Sequence, residues 1–126
     1  MLEHVNFTVS NLQRSLDFYR EAFGFEVRWK GEIFNTTRTT PAAHVGPPGK
    51  PFYFSLFEGE SSERAPYNYG PPGINHFGLV VDDLATAEAR AQAAGAEVKQ
   101  AAKYDPGRRV YVMDPDGIEI ELVEYS

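Results

Sequence analysis

The sequence predicts an α+β fold built from two copies of a βαβββ module, and three observations predict it. The chain repeats itself: with a gapless shift of 72 positions Leu2 meets Ile74, His4 meets His76, Phe7 meets Leu79, Val9 meets Val81 and Leu12 meets Leu84. In each half the hydrophobic period runs from 2 to about 3.6 and back to 2, the order strand, helix, then up to three strands. Near the end, Asp114-Pro115-Asp116-Gly117 combines a proline that pre-sets φ with a glycine that accepts a positive one. After that turn Ile118, Ile120 and Leu122 alternate with Glu119 and Glu121, the pattern of a strand with one buried face.

Each element follows from its residues. In 2–9, Leu2, His4, Asn6 and Thr8 share one strand face, and Glu3, Val5, Phe7 and Val9 share the other. Ser10 stands three residues before Gln13 as in a capping box, with Asn11 as the competing N-cap. Leu12, Leu16, Tyr19 and Phe23 fall at helical spacing and Gly24 ends that helix. Phe25 to Trp29 begins another strand, and a turn at Gly31 leads into a Thr-rich strand over 31–40. Pro41 to Pro51 holds four prolines and two glycines and reads as a loop carrying His44. Phe52 to Phe57 is an apolar strand. Glu58 to Gly73 is polar and rich in Pro, Gly and Ser, a linker or lid.

The second half opens with a strand from Ile74 to Val81. Asp82 or Asp83 caps a helix whose buried side carries Leu84, Ala87, Ala91 and Ala94, with Gly95 at its end. Ala96 to Gln100 is a short strand, Lys103 to Gly107 a turn, and Arg108 to Met113 a strand leading into the Asp-Pro-Asp-Gly turn. The expectation is one domain over 1–126, with module one at about 1–58, a linker at about 59–73 and module two at about 74–126.

Composition narrows the function classes. A chain of 126 residues, 42% hydrophobic and 13% aromatic, fills one modest core without staples. The absence of cysteine excludes a disulfide framework, a thiolate metal site and a cysteine nucleophile. It accords with a reducing, cytoplasmic location. Met1-Leu2-Glu3-His4 has no basic or apolar character of a signal peptide, and no apolar run nears the roughly 18 residues of a membrane helix. A net charge of −6 argues against nucleic acid and against an anionic membrane surface.

His4, His76 and Glu121 each lie on the polar side of a strand whose other side is apolar. A lone strand histidine is commonly structural, and a strand carboxylate commonly sits on a wet face. Two histidines at one register of a repeated strand are harder to dismiss. Two imidazoles and one carboxylate form a facial set that holds a divalent ion and leaves positions open for substrate and for water or dioxygen. One such ion per site is expected, and Fe(II), Mn(II), Ni(II), Co(II) and Zn(II) all suit the donors.

At these residues the sequence resembles the vicinal oxygen chelate superfamily, which includes glyoxalase I, extradiol dioxygenases, fosfomycin-resistance enzymes and bleomycin-resistance proteins. The matching stretches are His4, Leu16-Asp17-Phe18-Tyr19 with Phe23-Gly24-Phe25, Ile74-Asn75-His76, and Asp114-Pro115-Asp116-Gly117 followed by Glu121. They span nearly the whole chain. The resemblance implies two βαβββ modules forming a cup of mixed sheet around a metal held by His4, His76 and Glu121. Glyoxalase I takes a fourth ligand from the last strand of module one. Here that place falls near Ser55, a poor ligand, with Glu58 and Glu60 as alternatives in another register. Three ligands suit the dioxygenases and fosfomycin-resistance enzymes. Dioxygenases also carry a tyrosine ten residues before the ligand glutamate, where Tyr111 stands, and a histidine acid–base, for which His44 is the remaining candidate.

Two functions follow. One is a metalloenzyme acting on a small substrate with adjacent oxygens, dioxygenase-like or glyoxalase/lyase-like, with Tyr111 and His44 as catalytic candidates. The other is a metal-free protein that sequesters a ligand, as bleomycin-resistance proteins do; the retained His4, His76 and Glu121 favour the first. A module of about 60 residues leaves one sheet face uncovered and must pair with another module. Sixteen linker residues, Glu58 to Gly73, permit pairing within a chain or across a homodimer, and the resemblance favours a homodimer.

Overall fold

The computed structural model describes residues 1–35, 38–61, 69–102 and 106–125. The elements are β1 (His4–Val9), α1 (Leu12–Phe23), β2 (Glu26–Asn35), β3 (Arg38–Gly46), β4 (Tyr53–Glu58), β5 (Phe77–Val80), α2 (Leu84–Ala93), β6 (Glu97–Ala102), β7 (Arg108–Met113) and β8 (Glu119–Glu124). This is βαβββ twice. The chain divides into two compact units, Met1–Glu63 and Arg64–Ser126. Each unit holds one four-stranded mixed sheet, in the order β1-β4-β3-β2 and β5-β8-β7-β6. The first and last strands of each unit pair in parallel, and the others are antiparallel.

In the first unit the core is aromatic. Tyr19 of α1 and Phe54 of β4 are fully buried, with ring centroids 5.3 Å apart. Phe7 and Phe25 lie 5.2 Å and 5.8 Å from Phe54. β1 alternates as its sequence demands: Val5, Phe7 and Val9 turn inward, whereas His4, Asn6 and Thr8 are exposed. Asn11, not Ser10, is the N-cap of α1, its side chain accepting from the Arg14 N–H at 3.0 Å. Gly24 closes the helix at φ 70°.

The second unit has an aliphatic core of Val110, Val112, Ile120 and Leu122. Asp83 caps α2 and accepts from the Thr86 N–H, which holds its carboxyl below the usual range. Of the four residues expected on the buried side of α2, Ala91 alone is fully buried, while Leu84, Ala87 and Ala94 are half-buried. Alanine is too short to bring an amphipathic helix close along its whole length.

The Asp-Pro-Asp-Gly turn is tightened by its first residue. The buried Asp114 carboxylate accepts from the Asp116 and Ile118 N–H groups at 2.8 Å and 2.9 Å, and Gly117 takes φ 80°, where a side chain would be strained. The turn fixes the register of β7 on β8, so that Tyr111 faces Glu121 and Met113 faces Glu119.

Three expectations are corrected. There is no turn at Gly31: β2 runs through it, paired with Ala42. The glycine serves close approach instead, since a Cβ there would come within 2.7 Å of the Trp29 ring. Pro41 to Gly46 is not loop but the second half of β3, which puts His44 on a strand. Proline is tolerated because pairing with β4 reaches only Ala42; beyond it the Glu58 carbonyl accepts from the Thr40 hydroxyl at 2.5 Å and the Arg38 guanidinium at 3.0 Å. His76 does not lie in its strand but one residue before β5. Its place in the register is opposite Glu119, where β8 has just left the turn and the ladder ends. Thr36 and Thr37 of the Thr-rich strand, 62–68 of the linker and 103–105 of the predicted turn lie outside the described residues. Among the described residues no helix is long and apolar enough to cross a membrane.

Candidate functional site

The register of each sheet decides which side chains share a face. In the first unit Asn6 and His44 both face Ser55 across the ladders. In the second unit Gly78 and Tyr111 both face Glu121. Asn6 and Gly78 are 72 positions apart, so Ser55 is the structural counterpart of Glu121 and His44 that of Tyr111. The alternatives to Ser55 have other work. The Glu58 carboxylate accepts from the Leu12 N–H at 2.8 Å at the start of α1, and Glu60 pairs with Arg38 at 2.7 Å. Glu124 makes the matching 2.8 Å bond to Leu84 N–H at the start of α2. The two helix-capping glutamates are equivalent in the same register that makes Ser55 the counterpart of Glu121.

The second unit gathers the denser cluster. Glu119 and Glu121 are 6% and 8% exposed, so neither lies on a wet face. His76 Nε2 is 3.2 Å from Glu121 Oε2. The other Glu121 oxygen, Oε1, is 3.0 Å from Arg109 Nε and accepts from the Tyr111 hydroxyl at 3.3 Å. The His76 and Tyr111 rings meet edge to face, centroids 5.4 Å apart. On its far side His76 Nδ1 is 3.0 Å from the Tyr69 hydroxyl, which donates a short hydrogen bond to Glu119 Oε2. His76, Glu121 and Tyr111 are thus brought together.

In the first unit His4 lies beside Glu3, Nδ1 to Oε1 2.8 Å, and Tyr53 donates to the same oxygen at 3.1 Å. These two bonds, His4 first, hold the Glu3 carboxyl below its usual range. Rings form a strip across the sheet: His4 to Tyr53 5.0 Å, Tyr53 to His44 4.5 Å, His44 to Trp29 5.0 Å. Burial, and then the charge of His4, pushes His44 below the ordinary imidazole range. The strip with His4 belongs to the first unit, and the cluster of His76, Glu121 and Tyr111 to the second.

The donor chemistry of the second-unit cluster fits a divalent ion. Two buried carboxylates flank His76, Glu121 at Nε2 and Glu119 on the Nδ1 side, and the Arg109 guanidinium pairs with Glu121. Glu121 Oε2 and His76 Nε2 also converge as an oxygen and a nitrogen donor. Among the described residues no group of three or more His, Asp or Glu side chains is assembled to hold an ion, so the pair needs a further donor.

Three participants carried little or no signal in the sequence. Tyr69 sits in a Pro/Gly-rich stretch without periodicity. Arg109 was detectable in principle, since it stands two residues before Tyr111 on the same strand face. Glu119 shares a strand face with Glu121, but alternation alone assigns it no role.

A profile of the family described as the Glyoxalase/Bleomycin resistance protein/Dioxygenase superfamily matches residues 1–122. A lactoylglutathione lyase of Escherichia coli O157:H7 is 30% identical over 126 residues, covering 98% of this chain and 91% of that protein. A probable chloroplastic lactoylglutathione lyase of Arabidopsis thaliana is 30% identical over 130 residues, covering 96% of this chain. The chain spans 35% of that plant relative's length, and 43% of two further plant relatives. Among solved structures, a glyoxylase/bleomycin resistance protein/dioxygenase domain from Frankia sp. EAN1pec superposes with a TM-score of 0.79 at 22% identity, covering 100% of this chain and 98% of that one.

Proposed function

Because the chain belongs to the Glyoxalase/Bleomycin resistance protein/Dioxygenase superfamily, we propose that it is a divalent-metal-dependent enzyme of the lyase type, acting on a small substrate with adjacent oxygens. Its protein ligands are His4, His76 and Glu121. The observation that carries this reading is the convergence of His76 Nε2 and Glu121 Oε2, 3.2 Å apart, at a carboxylate that is 8% exposed. The relatives named lactoylglutathione lyase support the lyase class. His4, at the repeat position of His76, is the third donor of the proposed set.

A bound divalent ion would supply Lewis-acid charge to two neighbouring substrate oxygens. The chain's own residues do the rest. Arg109 and Tyr111 both approach Oε1 of Glu121, which fixes the plane of the carboxylate with Oε2 toward His76. The Tyr111 hydroxyl lies beside that ligand, and by releasing Glu121 Oε1, which Arg109 still holds, it can donate its one hydrogen to a substrate oxygen instead. His44, held neutral by its burial, can accept a proton from carbon. With serine at 55, no carboxylate stands in the fourth place to act as base, and His44 faces that serine across the ladder.

Two measurements on untagged protein test the reading. Elemental analysis should find one equivalent of a divalent metal in the wild type and a sharp loss in His4→Ala, His76→Ala and Glu121→Ala, with far-UV dichroism unchanged. A substrate panel should show turnover of a keto-aldehyde plus thiol with loaded protein, and none of a catechol under anaerobic Fe(II) loading followed by O₂. Stoichiometric metal in the His4→Ala and Glu121→Ala proteins would refute the ligand set. Catechol cleavage would move the protein to the dioxygenases. A wild type that takes up no metal from any of the five ions would leave ligand sequestration.

A further inference from the structure

We propose that Tyr69 and Glu119 are positioning residues that pin the hydrogen of His76 on Nδ1, so that its Nε2 lone pair faces Glu121. The inference rests on the reading of His76 as a ligand.

A phenol has one hydrogen to donate. Tyr69 donates it to Glu119 Oε2, a carboxylate oxygen that only accepts. The Tyr69 oxygen, 3.0 Å from His76 Nδ1, is then left as an acceptor, and the hydrogen between them belongs to the imidazole. In a neutral ring a hydrogen on Nδ1 leaves Nε2 as a lone pair. That lone pair points at Glu121 Oε2 from 3.2 Å. Two acceptors at that distance repel each other unless a cation lies between them. The chain Glu119–Tyr69–His76 therefore prepares a gap that a cation fills.

The surroundings support a dedicated arrangement. Glu119 is 6% exposed, yet its direct contact with the imidazole, Nδ1 to Oε2, is 3.7 Å, beyond a hydrogen bond. The tyrosine hydroxyl bridges that separation. The Tyr69 ring is 49% exposed and lies roughly parallel to the His76 ring, centroids 6.4 Å apart, so little core packing depends on it.

The first unit reaches the same result with different residues. There Nδ1 of His4 meets Glu3 at 2.8 Å, and the Tyr53 hydroxyl donates to the same Glu3 oxygen at 3.1 Å. By register Tyr53 faces His4 as Glu119 would face His76. In the second unit the tyrosine contacts Nδ1 and the glutamate backs it, whereas in the first the glutamate contacts Nδ1 and the tyrosine backs it; neither pair aligns in the 72-residue repeat. Carboxylate or hydroxyl partners on the far nitrogen of a ligand histidine fix its tautomer and ring orientation, and their loss typically weakens metal binding about 10–100-fold.

The test uses the full chain, labelled with ¹⁵N and freed of metal, at alkaline pH. The His76 nitrogen signals are assigned by their disappearance in His76→Asn. The wild type should show hydrogen on Nδ1, and Tyr69→Phe should shift the population toward Nε2. Zn(II) titrated against a competing chelator should bind Tyr69→Phe and Glu119→Gln about 10–100-fold more weakly than wild type. The double variant should be no weaker than the worse single one, because the pair acts as one chain. Hydrogen on Nε2 in the wild type, or a Tyr69→Phe protein with unchanged tautomer and unchanged Zn(II) affinity, would overturn the proposal. Tyr69→Phe keeps the test valid if Glu119→Gln fails to fold. A wild type with hydrogen on Nδ1 that binds no Zn(II) supports the placement of the hydrogen while overturning the metal reading, so the two failures are distinguishable.

Discussion

Tyr111 and His44 stand at one point of two equivalent sheets, and their neighbours give them opposite tendencies. Tyr111 points its hydroxyl at the Glu121 carboxylate, 3.3 Å away, as a donor. His44 faces a serine and is held neutral, as an acceptor. If Tyr111 donates to substrate, Tyr111→Phe should keep the fold and the metal content and lower turnover by about 10²–10⁴-fold. Arg109 still holds Glu121 Oε1 in that variant, so a parallel loss of metal by elemental analysis would instead make Tyr111 a support for the ligand. This pairing explains what the sequence could reveal residue by residue. Alternation and the repeat point to His4, His76 and Glu121, whereas Tyr111 is singled out by the family resemblance, which puts a tyrosine ten residues before the glutamate. The equivalence of His44 with Tyr111 follows from none of these: the two are 67 positions apart rather than 72, because the first unit is longer between its helix and its last strand. A gapless shift cannot find such a pair, and the prolines around His44 disguise its strand.

Each unit places a glutamate from its last strand at the N-terminus of its helix, where N–H groups lack intrahelical acceptors and the dipole favours negative charge. For Glu124 the Arg108 guanidinium first, and then the Leu84 N–H, hold the carboxyl below its usual range. Its folded pKa thus lies under the unfolded one, and between the two values the unfolded chain binds more protons. The stabilisation is complete above the ordinary carboxylate range, about pH 4, and is lost as pH falls through the lowered folded value. Urea midpoints of wild type should therefore fall on acidification through that window. Glu124→Gln should start lower at neutral pH and show a flatter decline, and added salt should narrow the gap, since the pair is at the surface. Equal slopes for the two proteins would show that Glu124 contributes nothing to acid sensitivity. At this scale the sequence reads well where one signal dominates. α1 has a clear apolar stripe and an Asn cap, and β8 has strict alternation behind a turn residue that ties down its own backbone. It reads poorly where tertiary packing overrides local preference. Gly31 stays in a strand because an indole ring occupies its side-chain space, and Pro41 stays because its N–H is not needed.

The repeat states that two like modules exist, and the structure returns two units of the predicted element order. It cannot state which copy of the second module serves which copy of the first, because that choice depends on a polar linker whose sequence carries no packing signal. In the first unit the helix lies on the face holding Phe7 and Phe54, while His4, Asn6, Ser55 and His44 occupy the opposite face. A module of about 60 residues covers only one face of its sheet with its own helix, so the expected partner of the other face is a second module. Exchange across a homodimer satisfies this, and it assigns His4 of one chain to the His76 and Glu121 of the other. The expectation is a dimer in sedimentation at micromolar concentration, and complementation between two inactive variants. His4→Ala and Glu121→Ala proteins, each without activity, are unfolded together and refolded as a mixture. Under exchange a mixed dimer carries both lesions in one site and leaves the other site intact, so part of the wild-type activity returns. Under pairing within a chain every site keeps one lesion and nothing returns. A monomer in sedimentation would rule out exchange before the mixture was made. A dimer without complementation would place the partner contact elsewhere and return both histidines to the same chain.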